Sequence, residues 1–472
     1  MKKMIAVSVF FFCMAWSGAF SDPIASLSFE NRGPAIGHPD LPSPEKITLS
    51  NCILMALSNN RTVLQSKASS AVAKAKRDQL WKAQLPNAAL QVSKVKYKEA
   101  LNPFLSSEQD VSRLVVTQTI QPFGRYDSQK KAAIFSIQSS DEAERKTEIE
   151  ISFQAVKTFY DLLLARHLEE VASESVSQLQ RHRDLTETLV NAGANPKFDL
   201  LRAEVQLSTA KPILIKATHA RSTGLADLLN LLGLDPSAQP EMVGTFPEDI
   251  INIPVPDEKK ALEIALKNRP DVSSAKAAVE AAKNQLTAVK QSLQPALQFS
   301  GYAERSRGAR LPVDDHLSNI EVQASLNYPF MDSGLTDAQA REARANLQIS
   351  TLAYQNTVST LLADIRKAIS GVEEARETLH SQEKNVEQAL EALAIAEKAY
   401  EAGTMTILDY LDAQLALTQA KTLRFQGLHD HAVAIAALER SLGKMPGTLI
   451  DKQKGSSTEI VVGGNQKSNS NN

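Results

Sequence analysis

AGANPKFD at 192–199 and AGTMTILD at 402–409 are two versions of one eight-residue stretch, set 210 positions apart. Each opens on Ala-Gly and closes on Asp, Asp199 in the first and Asp409 in the second. Outward at the same offset, Arg166 meets Arg376, Gln138 meets Gln348, Asp127 meets Asp337 and Gly124 meets Gly334. In the other direction Leu232-Gly233 meets Leu442-Gly443. No gap is needed between those ends, and roughly a quarter of the aligned positions are identical, far above chance for unrelated helical sequence. A gapless register of this length suits rods in which every residue has a fixed place along an axis, because irregular loops drift. Upstream, Ala56–Val63 resembles Ala265–Val272.

The arms on either side of each stretch are helix-forming. From Gly334 to Lys444 there is no proline, in a composition rich in Ala, Leu, Glu, Gln and Lys. Val372, Ala375, Leu379, Val386, Leu390, Leu393 and Tyr400 follow a heptad-compatible spacing. A continuous helix from Asp337 to Tyr400 is roughly 95 Å long, which a globular domain has no use for. The first copy matches from about Ser128 to Val190, and its return arm carries Pro212, where a kink or break is expected. Many stripe positions are alanine, so these rods should be stable only when packed against several others.

Between the rods lie four short alternating segments. Ile320, Val322, Ala324, Leu326 and Tyr328 share one face, with Asn319, Glu321, Gln323, Ser325 and Asn327 on the other. Leu297, Phe299, Gly301 and Ala303 form a second such strand, and Leu114, Val116 and Ile120 a third. The fourth, Ala88 to Lys98, switches parity between Val92 and Val95 and places three lysines on one face. Polar loops, Glu99–Asp110 and Glu304–His316, divide the pairs, and Gln121-Pro122-Phe123 and Tyr328-Pro329-Phe330 stand where strand gives way to helix. Aromatics beside proline there fit an interfacial girdle.

Lys2 and Lys3 precede an apolar run from Met4 to Trp16 and a small-residue cleavage site at Ala19-Phe20-Ser21, the pattern of a secretory signal. Cys13 lacks the small residue of a lipoprotein site, so no lipid anchor is expected there. Removing two lysines takes the net charge from −2 to −4, which gives no electrostatic case for nucleic acid. Only Cys52 remains after cleavage, so no intramolecular disulfide is expected. No later apolar stretch is long enough for a membrane helix; an exported chain of this kind enters a membrane as β-strands. Four strands leave two unpaired edges in hydrocarbon, so closure needs several chains. Two chains give eight strands with a filled interior, and three give twelve with a lumen.

These features resemble the TolC family of outer-membrane efflux and secretion ducts, from about Ile47 to Leu442. The resemblance rests on the paired openings near Ile47–Asn60 and Ala261–Pro270, the Gln-Pro-Phe-Gly and Tyr-Pro-Phe-Met-Asp-Ser-Gly turns, and the paired tips. It implies a mainly α fold with membrane β: duplicated long α-helical hairpins forming a periplasmic α-barrel, and four β-strands per chain in a trimeric 12-stranded transmembrane barrel. The expected boundaries are a signal peptide at 1–21, an extended segment at 22–46 and a first repeat at 47–233 with strands at about 88–120. A linker at 234–257 leads to a second repeat at 258–443 with strands at about 297–328, and a disordered tail follows at 444–472. The implied function is the channel component of a tripartite efflux or type I secretion system, not an enzyme and without cofactor or metal. The implied partners are two further copies of the chain, outer-membrane lipid, a periplasmic adaptor and an inner-membrane pump of RND, ABC or MFS type. Transport specificity is left to the pump.

The resemblance also directs attention to the tips. Gly193, Ala194, Asn195 and Asp199 in the first, with Gly403, Thr404, Met405 and Thr406 in the second, would meet the adaptor. Gly403 is read as a left-handed cap and Thr404 or Thr406 as the cap of the next helix. Asp409 and Asp412 fall on one helix face, and in the family acids at these positions line the narrow periplasmic entrance. Asp409 also has a purely structural reading, as an acid in a first helical turn. Asp412 has Arg202 as its counterpart, opposite in charge, and Arg202 could bridge to Asp412 of a neighbouring hairpin. Tyr400 resembles a residue that helps hold the entrance closed. Met405 stands where the family has a basic residue, and Ser208 where an acid could have been its partner, so the family's gating salt bridge does not carry over.

The eight histidines show no metal-ligand spacing, and His429-Asp430-His431 reads as a solvated helix face. There is no phosphate loop and no nucleophile motif. Two other classes use long hairpins: a periplasmic adaptor, which carries compact Gly-rich β modules, and a non-transport coiled-coil envelope protein. The duplicated hairpin with paired strands fits the duct better than either.

Overall fold

The computed structural model describes residues 46–96, 108–235, 237–247, 253–308, 316–402 and 404–448. The leader, nearly all of the extended segment, most of both polar strand-connecting loops, Gly403 and everything past Thr448 lie outside the described residues. The elements run β1 (Lys46–Ile47), α1 (Leu49–Asn59), α2 (Arg61–Lys82), β2 (Asn87–Lys96), β3 (Glu108–Ile120), α3 (Arg125–Asn191), α4 (Lys197–Leu232) and β4 (Glu241–Met242). The pattern then repeats as α5 (Glu258–Asn268), α6 (Pro270–Lys290), β5 (Ala296–Gly308), β6 (His316–Asn327), α7 (Leu335–Glu401) and α8 (Ile407–Ser441). The two outgoing arms, α3 and α7, are each 67 residues long.

The chain divides into two units. The first, from 71–138 and 277–351, holds an antiparallel sheet in the order β2-β3-β5-β6. Its register lines up the apolar residues of all four strands on one face. Leu90, Leu114, Ala303 and Ile320 make one row, and Ala88, Val116, Gly301 and Val322 the next. The opposite face is polar: Arg113 donates from Nε to Glu304 (2.8 Å) and its guanidinium lies 4.6 Å from the Tyr302 ring centre. The Tyr302 hydroxyl donates to Glu321 at 2.7 Å. The parity switch in β2 is the end of the apolar band, where Lys94 and Lys96 meet Glu108 across the pair.

The second unit, from 42–70, 139–276 and 352–472, holds the main apolar core. Here the duplication is three-dimensional. Ile151 and Leu361, Ala155 and Ile365, Leu162 and Val372, Leu228 and Leu438, and Leu232 and Leu442 are each separated by 210 and all are buried. Gly233 and Gly443 end the return arms with φ of +68° and +70°, the left-handed conformation glycine adopts without cost.

Four details differ from expectation. The helix preceding each strand pair is two helices, broken at Asn60 and at Arg269. Asn60 explains its break: its amide donates to Leu231 O (3.0 Å) while its Oδ1 accepts from Thr62 N (2.9 Å). Pro212 does not break α4, which continues through it at the cost of one hydrogen-bond donor. In the α7 seam Ala389 is buried and Leu390 is about half exposed, so the stripe runs through the small residue, where the return arm α8 packs with Leu417 and Ala420. Residues 444–448, expected in the disordered tail, are ordered against the core, and the rest of that tail lies outside the described residues. The Gly447 amide and Thr448 hydroxyl donate to the fully buried Glu439 carboxylate at 2.7 and 2.6 Å, because a buried carboxylate needs donors.

Candidate functional site at the hairpin tips

Each hairpin tip is built by the end of an outgoing arm. At Asn191 the helix α3 closes with Gly193 N donating to Val190 O and Ala194 N to Leu189 O, and Gly193 at φ +76°. At the second tip Thr404 N donates to Ala399 O, the bond that corresponds at the same offset to Ala194–Leu189. Gly403 itself lies outside the described residues.

The return arms start differently. Thr406 caps α8 through a capping box: its hydroxyl accepts from Asp409 N (3.4 Å), while Asp409 Oδ2 accepts from Thr406 N (3.3 Å) and Oγ1 (2.6 Å). Asp409 is therefore engaged structurally, as an acid in a first helical turn should be. The corresponding cap of α4 is Pro196, which has no hydroxyl, and Asp199 makes no such box. Asp409 and Asp412 are both exposed, one turn apart. Neither Asp412 nor Arg202 makes an ion pair among the described residues of one chain; the Arg202 guanidinium lies 5.9 Å from the Phe198 ring centre. Ala194 and Thr404 are exposed, and Asn195 and Met405 are half-buried.

Behind the second tip, Tyr400 stacks on Tyr410 with ring centres 5.7 Å apart, and His182 of α3 lies 5.4 Å from Tyr410. His182 is buried, its Nε2 has no hydrogen-bond partner among the described residues, and burial lowers its pKa. It joins the first hairpin to the second. From it a ladder of contacts runs down α3 and up α8 in step: Gln178 with Gln414, Glu174 with Lys421, His167 stacked on Phe425 and Asp161 with His429. Glu150 with Arg440 completes the ladder at the core. The outgoing arm of one repeat thus packs on the return arm of the other. Sequence reasoning missed His182 and Tyr410, because an aromatic whose partners come from another helix carries no local signal. It also misread His431, which is 1% exposed with neither ring nitrogen hydrogen-bonded among the described residues.

No helix among the described residues is long and apolar enough to cross a membrane. The four-stranded sheet with one apolar face and the doubled hairpins are a known combination. The sequence profile described as outer membrane efflux protein matches residues 52–234 and 261–444. The chain belongs to that family. Outer membrane efflux proteins lie in the outer membrane, and so does this chain. It is 25% identical over 449 residues to outer membrane protein OprJ of Pseudomonas aeruginosa, covering 91% of this chain and 89% of that one. It is 24% identical to nodulation protein T of Rhizobium leguminosarum over 67% of this chain, and 23% identical to the pyoverdine export outer membrane protein OpmQ of P. aeruginosa over 66%. Those two alignments span 66% and 64% of the relatives' own lengths, just under two thirds. The solved Campylobacter jejuni CmeC outer membrane channel has the same fold, with a TM-score of 0.74 over 92% of this chain and 97% of that one at 18% identity.

Proposed function

We propose that this efflux-family protein is the outer-membrane channel component of a tripartite efflux or type I secretion system, a passive duct of three chains. The observation that supports it most is the sheet. Its outer strands, β2 and β6, leave unpaired backbone edges, while its two faces are apolar and polar. Joining β6 of one copy to β2 of the next satisfies both edges in lipid. Three copies give twelve strands around a lumen lined by the polar face. The polar face with Arg113, Glu304 and Glu321 then lines a watery passage, and the apolar rows face lipid.

The tips are the periplasmic entrance in this reading. In a trimer the exposed Asp409 and Asp412 of three chains bring six carboxylates together, which attracts cations. Arg202, which has no acidic partner among the described residues of its own chain, would bridge to Asp412 of a neighbour, and Tyr400 would hold its hairpin through the stacked Tyr410. Gly193, Ala194, Asn195, Asp199 and Gly403 through Thr406 present the surface an adaptor would meet, below an inner-membrane pump of RND, ABC or MFS type. Purified protein in detergent should have the mass of three chains and conduct ions in planar bilayers. Replacing both acids, Asp409→Ala with Asp412→Ala, should lower cation preference several-fold. A surfactant-independent monomer sinks the duct, and an unchanged reversal potential in the double variant sinks the acidic ring.

A further inference from the structure

Where α5 gives way to α6, the second unit holds a cavity of about 360 Å³, within the size range of small-ligand pockets. Ile149, Pro270, Ala368 and Ala437 supply its apolar lining, and charged side chains from four helices ring it. Arg269 is engaged on both sides, by Asp271 at 2.6 Å and Asp364 at 3.2 Å. Arg440 reaches Glu150 through Nη1, at 3.2 and 3.3 Å. The three carboxylates are thereby held by arginines. Lys146 of α3 and Lys367 of α7 line the same cavity, are exposed, and make no hydrogen bond or ion pair among the described residues. The field of Lys146 reaches Asp271 without a salt bridge.

The duplication shows that the fold does not require these charges. In the first repeat Arg269 and Asp271 correspond to Asn60 and Thr62, Asp364 to Gln154 and Arg440 to Asn230. Lys146 and Glu150, in turn, correspond to Asn356 and Thr360 of the second. Lys157, the counterpart of Lys367, pairs with Asp161 at 3.6 Å, but the counterpart of Asp161 is Gly371, so Lys367 has lost that acid. We propose that the cavity binds a small, water-soluble phosphate monoester, its phosphate between Lys146 and Lys367 and its body on the apolar lining. A phosphate monoester carries about two negative charges on one group at neutral pH, which two ammonium groups on one cavity match. The Arg440 guanidinium adds planar donors beyond the nitrogen that holds Glu150. A phospholipid fits less well, because acyl chains need an apolar way out and α3, α6, α7 and α8 each present charge around the opening. The proposal stands on the helical unit and does not depend on the barrel.

Isothermal titration calorimetry of the full chain in detergent, in phosphate-free buffer at fixed ionic strength, tests this with glycerol 3-phosphate as the probe. One molecule should bind per chain, with a Kd of about 1 mM or tighter. Replacing both exposed lysines, Lys146→Gln with Lys367→Gln, should weaken binding about tenfold or more, a loss of two charge-assisted contacts. Lys157→Gln, at the matching position of the first repeat, should leave binding unchanged and controls for a general loss of positive charge. Absence of saturable heat, equal binding of glycerol or of succinate, or an unaltered double variant overturns the proposal. Phosphatidylglycerol in the same micelles should not displace the probe; displacement at equal concentration overturns the assignment to a soluble ligand.

Discussion

Two histidines separated by one residue behave oppositely, and the reason is what surrounds each ring. Burial works against a charged His429, but Asp161 at 2.7 Å and Asp430 at 2.9 Å more than offset it, and its pKa rises. His431 has no such acids among the described residues. Burial first, and the charge of Arg376 second, bring its pKa down to about 4. The sign follows. Above pH 6.5 His431 is neutral folded or unfolded and contributes no pH dependence. As the pH falls from there toward 4 the unfolded chain takes up a proton that the folded chain refuses, which costs about 3 kcal/mol in all. The melting temperature should therefore fall more steeply between pH 7 and 4.5 in the natural protein than in a His431→Leu variant. Parallel slopes in differential scanning fluorimetry would show that this ring does not carry the effect. Cys52 follows the same logic of burial: its thiol is pushed up to about 12, which leaves it an inert core residue.

At the scale of elements, the ends of the return arms lock the helix breaks. A Cβ on Gly443 would lie 2.8 Å from both Cα and N of Arg269, where α5 gives way to α6, and the residue sits at φ +70°. Gly193 at the first tip has φ +76° but nothing within 4 Å of the same position. Gly193→Ala should therefore cost only the left-handed strain, about 1 kcal/mol, whereas Gly443→Ala adds a backbone collision and should cost at least twice that. Equal melting temperatures for the two variants would remove the close approach as the cause. The Arg269 side chain is held in this junction by Asp271 at 2.6 Å and Asp364 at 3.2 Å, which tethers the backbone that the added Cβ would meet. The element boundaries themselves were legible in part. Strand alternation located β3, β5 and β6, but the expected polar loops were too long, since Glu108–Asp110 belong to β3 and Glu304–Gly308 continue β5; the Ala-Gly tips marked the hairpin turns. The break at Asn60 was not, because it depends on a carbonyl of α4 that is 171 residues away.

At the scale of the whole molecule, nothing among the described residues of one chain covers the apolar face of the sheet. Val322 is 69% exposed and Ile320 60%. If lipid covers them, a charge there is expensive: Val322→Arg should destabilise the membrane-inserted protein by about 2–4 kcal/mol. Asn319→Arg, three positions away on the polar face, should cost far less. Urea titration in lipid vesicles, read by the Trp81 fluorescence change, distinguishes them; equal midpoints would mean that the two faces meet the same environment.

The amino-acid sequence alone determined the duplication, the rods, the two-faced strands and therefore the family, because periodicity and gapless register are properties of order along the chain. It also located both tips and narrowed the second cap to Thr404 or Thr406, of which the structure uses Thr406, whose bonds span three residues. Tertiary structure alone decided the pairing of α3 with α8, the burial of His182 and His431, and the choice of Ala389 over Leu390 as the seam. Each of these depends on how closely another helix approaches, from 28 residues along the chain for Ala389 and Leu417 to 290 for Glu150 and Arg440, and that closeness leaves no mark on local spacing.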